Sequence, residues 1–139
     1  MTVEFDTRLV VVLDESLETW QKANVTAFLV SGIAATDPST VGEPYEDASG
    51  NRYLPMFRQP VRVLATDGAG LRRAYERARE RGVERLAIFT RELFSTPHDE
   101  ANRAAVRSVP ADTLDLVGIA LHADQKVVAK VTDKLRPHP

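Results

Sequence analysis

The sequence contains no cysteine. Because disulfides, zinc–cysteine sites, iron–sulfur clusters and thiol nucleophiles all need cysteine, each of these is excluded. Histidine is scarce as well: the three histidines are too widely spaced for any two to bind a metal from neighbouring turns of one helix. We therefore expect no metal and no cofactor. Any chemistry falls mainly to lysine, carboxylate and hydroxyl groups.

The chain also lacks an excess of either charge and any long apolar run. Its 18 lysine and arginine residues face 20 aspartate and glutamate residues. Nucleic-acid binders usually show a basic excess, so we do not expect a nucleic-acid partner. The apolar stretches are shorter than the roughly 20 residues that span a bilayer. Glu4 and Asp6 precede the first apolar run, which is the wrong polarity for an export signal. We expect a cytoplasmic protein without membrane contact.

What is present fits a single α/β domain of 139 residues. Apolar runs rich in β-branched residues alternate with amphipathic stretches, and this alternation predicts helices layered on a sheet. The predicted strands are 9–13, 61–65, 86–89 and 116–121. The predicted helices are 17–32, 71–81, 99–106 and 124–135.

The segment 36–60 breaks this pattern, because prolines and glycines interrupt it throughout. Its middle, from Tyr45 to Tyr53, predicts a hairpin that turns at Gly50. Connections of this length in small domains usually serve function or assembly. We expect the hairpin either to cover a ligand site or to lie between the subunits of a homodimer.

Two sets of polar side chains follow predicted strands. One set lies in the opening turns of the first helix and the other directly follows the third strand: Trp20, Lys22 and Asn24, then Thr90, Arg91 and Glu92. If the two strands are parallel neighbours, both sets reach the carboxyl edge of the sheet, where open α/β sheets bind ligands. Lys22 and Glu92 then form either a ligand-binding or proton-transfer pair or an ordinary surface salt bridge.

Other candidate features have simpler explanations. Asp67 lies in a loop that could hold a phosphate, but it is better explained as a helix cap. The arginines of helix 71–81 spread around the helix, as on a solvated surface. His122 follows the fourth strand, and we expect it to be a surface histidine.

Several stretches of the sequence together resemble a bacterial family, domain of unknown function 2000. These stretches are residues 9–13, 20–28, 42–47, 51–56, 89–94 and 116–121. The family is similar in fold to type II peptidyl-tRNA hydrolases. This resemblance implies a three-layer α/β/α fold with a mixed four-stranded sheet whose last strand is antiparallel. It places Lys22 near the lysine of the hydrolases' first helix. It also aligns Glu92 and Thr96 with an aspartate and a threonine that follow their third strand.

Two hypotheses follow. The first is a homodimeric domain that binds a small ligand or a partner at the carboxyl edge, with Tyr45 of the hairpin over the site. The second is a hydrolase of an ester or amide. In it Lys22 stabilises developing negative charge and Glu92 orients water or acts as base, while Thr96 supplies a hydroxyl.

Overall fold

The computed structural model describes residues 5–139. Its strands are β1 (Thr7–Asp14), β2 (Tyr45–Glu46), β3 (Arg52–Tyr53), β4 (Val61–Thr66), β5 (Leu86–Thr90), β6 (Leu116–Asp124) and β7 (Arg136–Pro137). Its helices are α1 (Thr19–Thr36), α2 (Gly68–Glu80), α3 (Asp99–Arg107) and α4 (Gln125–Val131). Strands β2 and β3 form a separate hairpin, and the other strands form one mixed sheet.

The sheet has the order β5-β6-β1-β4-β7. Strand β1 is parallel to β4, whereas β6 is antiparallel to both of its neighbours, β1 and β5. The fourth predicted strand is therefore antiparallel, as expected. The sheet has five strands rather than four, because Arg136–Pro137 pairs with β4 along its edge.

The first and third predicted strands, β1 and β5, are not neighbours, because β6 lies between them. Residues 116–122 of β6 are buried along their whole length, and a strand buried on both faces is best satisfied with a partner on each side. Since β6 is antiparallel to both, β1 and β5 still point the same way. Their carboxyl ends lie at the same edge of the sheet.

Helices pack on both faces of the sheet. Helix α1 covers one face through Val25, Leu29 and Ile33, while α2 and α4 pack on the other. Gly118 of β6 allows α1 a close approach, since a Cβ there would lie 2.6 Å from Val25 Cγ1. Helix α1 was predicted to end at residue 32, but it continues to Thr36. Within the described range 5–139, no helix is long and apolar enough to cross a membrane.

The predicted hairpin is confirmed, and Asp47 organises its turn. The carboxylate of Asp47 accepts hydrogen bonds from the backbone N–H of Asn51 (2.9 Å) and the hydroxyl of Tyr53 (2.7 Å). The hydrogen bond from Tyr53, and next those from Asn51, lower the pKa of Asp47 to about 2. The same contact raises the pKa of Tyr53. Gly50 has the positive φ, 87°, that the turn requires.

Candidate functional site

The two segments that carry the predicted sets of polar residues lie at the same edge of the sheet. The rings of Trp20, in the first turn of α1, and Phe94, in the 3-10 turn Arg91–Ser95 after β5, lie edge to face with centroids 5.9 Å apart. The start of α1 and the segment after β5 are therefore in contact. The contact spans the start of β6, not a pair of neighbouring parallel strands.

Lys22 and Glu92 have different surroundings at this edge. Lys22 Nζ lies 3.1 Å from Nε2 of His138, which follows β7. Glu92 is exposed, and within residues 5–139 its carboxylate makes no ion pair with Lys22. Positions 20 and 22 differ by about 200° around a helix. Because Trp20 points toward the β5 side, Lys22 points toward the β7 side.

Arg91 connects the ends of three strands. Its guanidinium lies 3.1 Å from the carboxylate of Asp115, just before β6, and 3.8 Å from that of Asp14 at the end of β1. Thr90, at the end of β5, is buried at 2% exposure. These contacts connect the carboxyl ends of β1 and β5 to the start of β6. A structural role therefore accounts for the positions of Thr90 and Arg91.

The remaining predicted site residues are dispersed. Thr96 donates a hydrogen bond to the carbonyl of Leu93 (3.1 Å) and also bonds Asn102. Asn24 is exposed on the outer face of α1, and Tyr45 is exposed in the hairpin, opposite Tyr53.

The opposite edge of the sheet contains a buried polar cluster around His122. His122 is only 6% exposed, so the expectation of a surface histidine was wrong. It lies on the part of β6 that is covered on both faces. Its Nε2 is 3.0 Å from Oγ1 of Thr7, at the start of β1. Its buried Nδ1 has no hydrogen-bond partner among the described residues.

Asp37, the residue that ends α1, lies on the other side of this imidazole. Its Oδ2 is 3.7 Å from His122 Nδ1 and 3.4 Å from the guanidinium of Arg85. The hydroxyl of Ser39 and the charge of Arg85 lower the pKa of Asp37. Burial lowers the pKa of His122, with help from Arg85 and against the opposing effect of Asp37. His122 is therefore neutral, and Asp37 ionised, at pH 7.

Gln59 completes the cluster. Its Nε2 donates to the Thr7 carbonyl (3.3 Å), and its Oε1 lies 3.4 Å from the Thr7 hydroxyl. Gln59 is 9% exposed. We call Thr7, Asp37, Gln59 and His122 the amino-edge cluster, since it lies where β1 and β4 begin.

Two adjoining cavities open beside the amino-edge cluster, with Thr7 and Gln59 in the walls of both. The smaller, about 280 Å³, also reaches His122, Arg58 and Arg85. The larger, about 530 Å³, extends past Arg8 and Arg62. Of the described charged residues around the two cavities, four are arginines and two are aspartates (Asp6 and Asp37). The walls therefore favour a negatively charged ligand.

The described residues do not bring three or more histidine, aspartate or glutamate side chains together in a way that could hold a metal ion. The groups that line the cavities, which are arginine, amide and imidazole side chains, suit an organic or inorganic anion.

Comparison with known families places this fold and cluster in context. A family model described as protein of unknown function (DUF2000) matches residues 7–139, which include the whole amino-edge cluster. The chain belongs to this family. The DUF2000 chain is also similar to a solved structure of a protein of unknown function from Agrobacterium tumefaciens strain C58. The two share 44% identity with a TM-score of 0.94, over 98% of this chain and 100% of the other. No functionally curated protein matches.

Sequence reasoning missed three members of this DUF2000 protein's amino-edge cluster. Thr7 begins a strand, Asp37 ends a helix and Gln59 precedes a strand, so no shared motif connects them. The one signal in the sequence was His122, because it directly follows the predicted strand 116–121, whose apolar residues indicate burial on both faces. Asp67, by contrast, caps α2 as predicted, accepting from the Gly70 N–H at 2.8 Å.

Proposed function

We propose that this protein binds a small anionic ligand in the cavities at the amino-edge cluster. The observation that supports this most directly is the smaller cavity, which Arg58 and Arg85 line together with the buried His122. Among the described residues, the buried Nδ1 of His122 lacks a hydrogen-bond partner, although buried polar atoms normally have one. A bound ligand that brings the carboxylate of Asp37, 3.7 Å away, closer to Nδ1 would supply this partner.

The arginines indicate the chemical class of ligand. Guanidinium groups bind carboxylate and phosphate through paired, charge-assisted hydrogen bonds. Arg8 already donates to the carbonyls of Phe5 (2.9 Å) and Thr7 (3.2 Å), whereas no hydrogen bond or ion pair engages the guanidinium of Arg62 within the described chain. A ligand with a carboxylate or phosphate group near Arg62 and a polar group near His122 fits both cavities.

Thermal unfolding and calorimetry with succinate and inorganic phosphate test this proposal. Binding at 100 times Kd stabilises a folded protein by about 2.7 kcal/mol, so the melting temperature rises by several degrees. Neutral succinamide is the ligand control. The Arg62→Gln variant should weaken binding at least tenfold, and the Arg103→Gln variant, changed on the exposed face of α3, should not. Absence of binding by both anions, or equal binding by both variants, would contradict the proposal.

We further propose that the protein is a homodimer. Lys22 is the only charged residue of α1, and Trp20 (59%) and Phe28 (56%) are exposed on its outer face. Four more large apolar side chains are exposed in the hairpin segment: Tyr45, Tyr53, Leu54 and Met56. Exposed apolar area of this extent supports an interface between subunits. In the dimer, the uncharged outer face of α1 packs against the same face of α1 in the second subunit.

Sedimentation or light scattering tests the dimer. The wild type should sediment as a dimer, and Phe28→Lys should shift it to monomer because a charge enters the interface. Glu76→Lys, on the exposed face of α2, should leave the dimer intact. A wild type that is monomeric at tens of micromolar would refute the proposal.

A second candidate function is an ester or amide hydrolase of the peptidyl-tRNA hydrolase-like fold, using Lys22, Glu92 and Thr96. The Trp20–Phe94 contact favours it, because it brings the two segments together. In this scheme Lys22 has to leave His138 to meet a substrate. Release of the peptide from peptidyl-tRNA, lost in Lys22→Ala, is the expected result, and a variant as active as the wild type would exclude it.

A further inference from the structure

The amino-edge cluster holds a carboxylate, an imidazole and a hydroxyl in line. Asp37 lies beside Nδ1 of His122, and Thr7 lies beside Nε2. Thr7 also lines both cavities and is half-buried. We infer that Thr7 is a nucleophile, activated by His122, that accepts an acyl group from an ester carrying a second, anionic group. The inference rests on the proposed function, because the arginines hold that anionic group.

The arrangement selects the required tautomer of His122. A carboxylate beside Nδ1 favours a proton on that nitrogen, which leaves Nε2 as an acceptor. Gln59 donates its Nε2–H to the Thr7 carbonyl, so its Oε1 faces the Thr7 hydroxyl at 3.4 Å. The hydroxyl thus has two acceptors, and the imidazole at 3.0 Å is the closer one. A neutral imidazole that accepts from a hydroxyl is the resting state of a nucleophile and its general base.

The reaction conserves atoms and protons. The Thr7 oxygen forms a bond to the ester carbonyl carbon while its proton passes to Nε2 of His122. The bond to the leaving alcohol then breaks, and that alcohol takes the proton from Nε2. Water attacks the resulting acyl-threonine by the same route, which releases the carboxylic acid and restores Thr7. Arg58 and Arg85 line the cavity where the carbonyl oxygen becomes negative.

Asp37 is a positioning residue in this scheme. Its 3.7 Å separation from Nδ1 is longer than a hydrogen bond, and Arg85 binds the same oxygen. Catalytic hydrogen bonds are often long in structures without substrate and shorten when it binds. Asp37→Asn should therefore lower kcat more than it raises KM, and it should shift the pH profile of kcat, whereas a structural role alone would change only stability.

The test uses the full chain with the 4-nitrophenyl monoester of fumaric acid, whose trans double bond keeps the carboxylate from attacking its own ester, and, as a neutral control, its methyl ester. We expect nitrophenolate release with preference for the charged ester, and a fumaroyl adduct located on Thr7 by fragment-ion sequencing. His122→Gln should lose about 10²-fold in rate, the lower end of the range for a general base, and Thr7→Val, which removes the nucleophile itself, should lose at least as much. Thr7→Ser should retain activity, and Thr26→Val, on α1, should match the wild type.

The inference is overturned if nitrophenolate release does not exceed buffer background, or if the rate is unchanged in folded Thr7→Val. If Thr7→Val fails to fold, two other measurements still test the inference: adduct mapping on the wild type and the activity of Thr7→Ser. An adduct on another residue, together with an inactive Thr7→Ser, also overturns the inference. Calorimetry with succinate separates the two proposals. Succinate binding without turnover overturns the acyl transfer alone, and failure of succinate and phosphate to bind removes the ligand site itself.

Discussion

Replacing Gly118 with alanine should strain the contact between helix α1 and the centre of the sheet. The added Cβ would lie 2.6 Å from Val25 Cγ1, 3.2 Å from Leu29 Cδ1 and 3.4 Å from Leu13 Cδ2. Carbon atoms pack best at about 3.5–4.0 Å. Val25 must therefore leave its rotamer, or α1 must move outward by about 1 Å.

The size of the effect follows from two opposing contributions. Overpacking a dense core costs about 1–3 kcal/mol. Replacing glycine within a strand returns about 0.5–1 kcal/mol, because the unfolded chain loses freedom. The free energy of unfolding should fall by up to about 2.5 kcal/mol, with a central value of about 1 kcal/mol. For a chain of 139 residues, each kcal/mol lowers the melting temperature by roughly 3–4 °C.

Urea unfolding of three variants measures this. Gly68→Ala is the matched control, because no atom lies within 4 Å of the Cβ added there, and its stability should equal or exceed that of the wild type. Val25→Ala makes room for the new methyl group, so Gly118→Ala combined with Val25→Ala should be at least 0.5 kcal/mol more stable than the sum of the single changes predicts. If Gly118→Ala is as stable as Gly68→Ala, or if the two changes are additive, the close-packing argument is refuted.

Three further outcomes are expected. The pKa of His122 lies below its ordinary 6.5, so the folded protein binds fewer protons than the unfolded chain. Stability should therefore fall as pH drops below about 7, and urea unfolding of His122→Gln should show a smaller fall. Asp47→Asn should bring the pKa of Tyr53 down toward 10.0, as measured by phenolate absorbance against the Tyr53→Phe variant. Arg91→Ala removes two ion pairs of a half-exposed side chain, so the free energy of unfolding should change by less than about 1 kcal/mol. A larger loss would show that these ion pairs stabilise the strand ends more than the exposure of Arg91 implies.

The strands were predictable because their own residues determine them. The four apolar runs of the sequence correspond to β1, β4, β5 and β6. Strand β7 was missed because two residues, one of them a proline, carry no strand pattern. The placement of β6 between β1 and β5 was also missed, since a strand's own pattern shows that it is buried but not which neighbours bury it.

The amino-edge cluster was less predictable than the fold. Thr7 and His122 are brought together by the antiparallel pairing of β1 with β6, and Asp37 reaches them only because α1 extends one turn past Gly32. Open α/β sheets usually bind ligands at the carboxyl ends of their parallel strands, and this tendency predicted a site at the opposite edge of the sheet. There, Lys22 and Glu92 were predicted as a pair, but helix geometry directs Lys22 to His138 instead.

Helix α1 connects two regions that were described separately. Its outer face carries Trp20 and Phe28, and the residue that ends it, Asp37, lies against His122. If a second subunit displaces α1 along the sheet, Asp37 moves with it, and the affinity of the cavity for an anion changes. Thermodynamic linkage then requires the reverse: a bound anion must shift the monomer–dimer equilibrium by the same free energy. The dissociation constant of the dimer would thereby report whether the ligand is present.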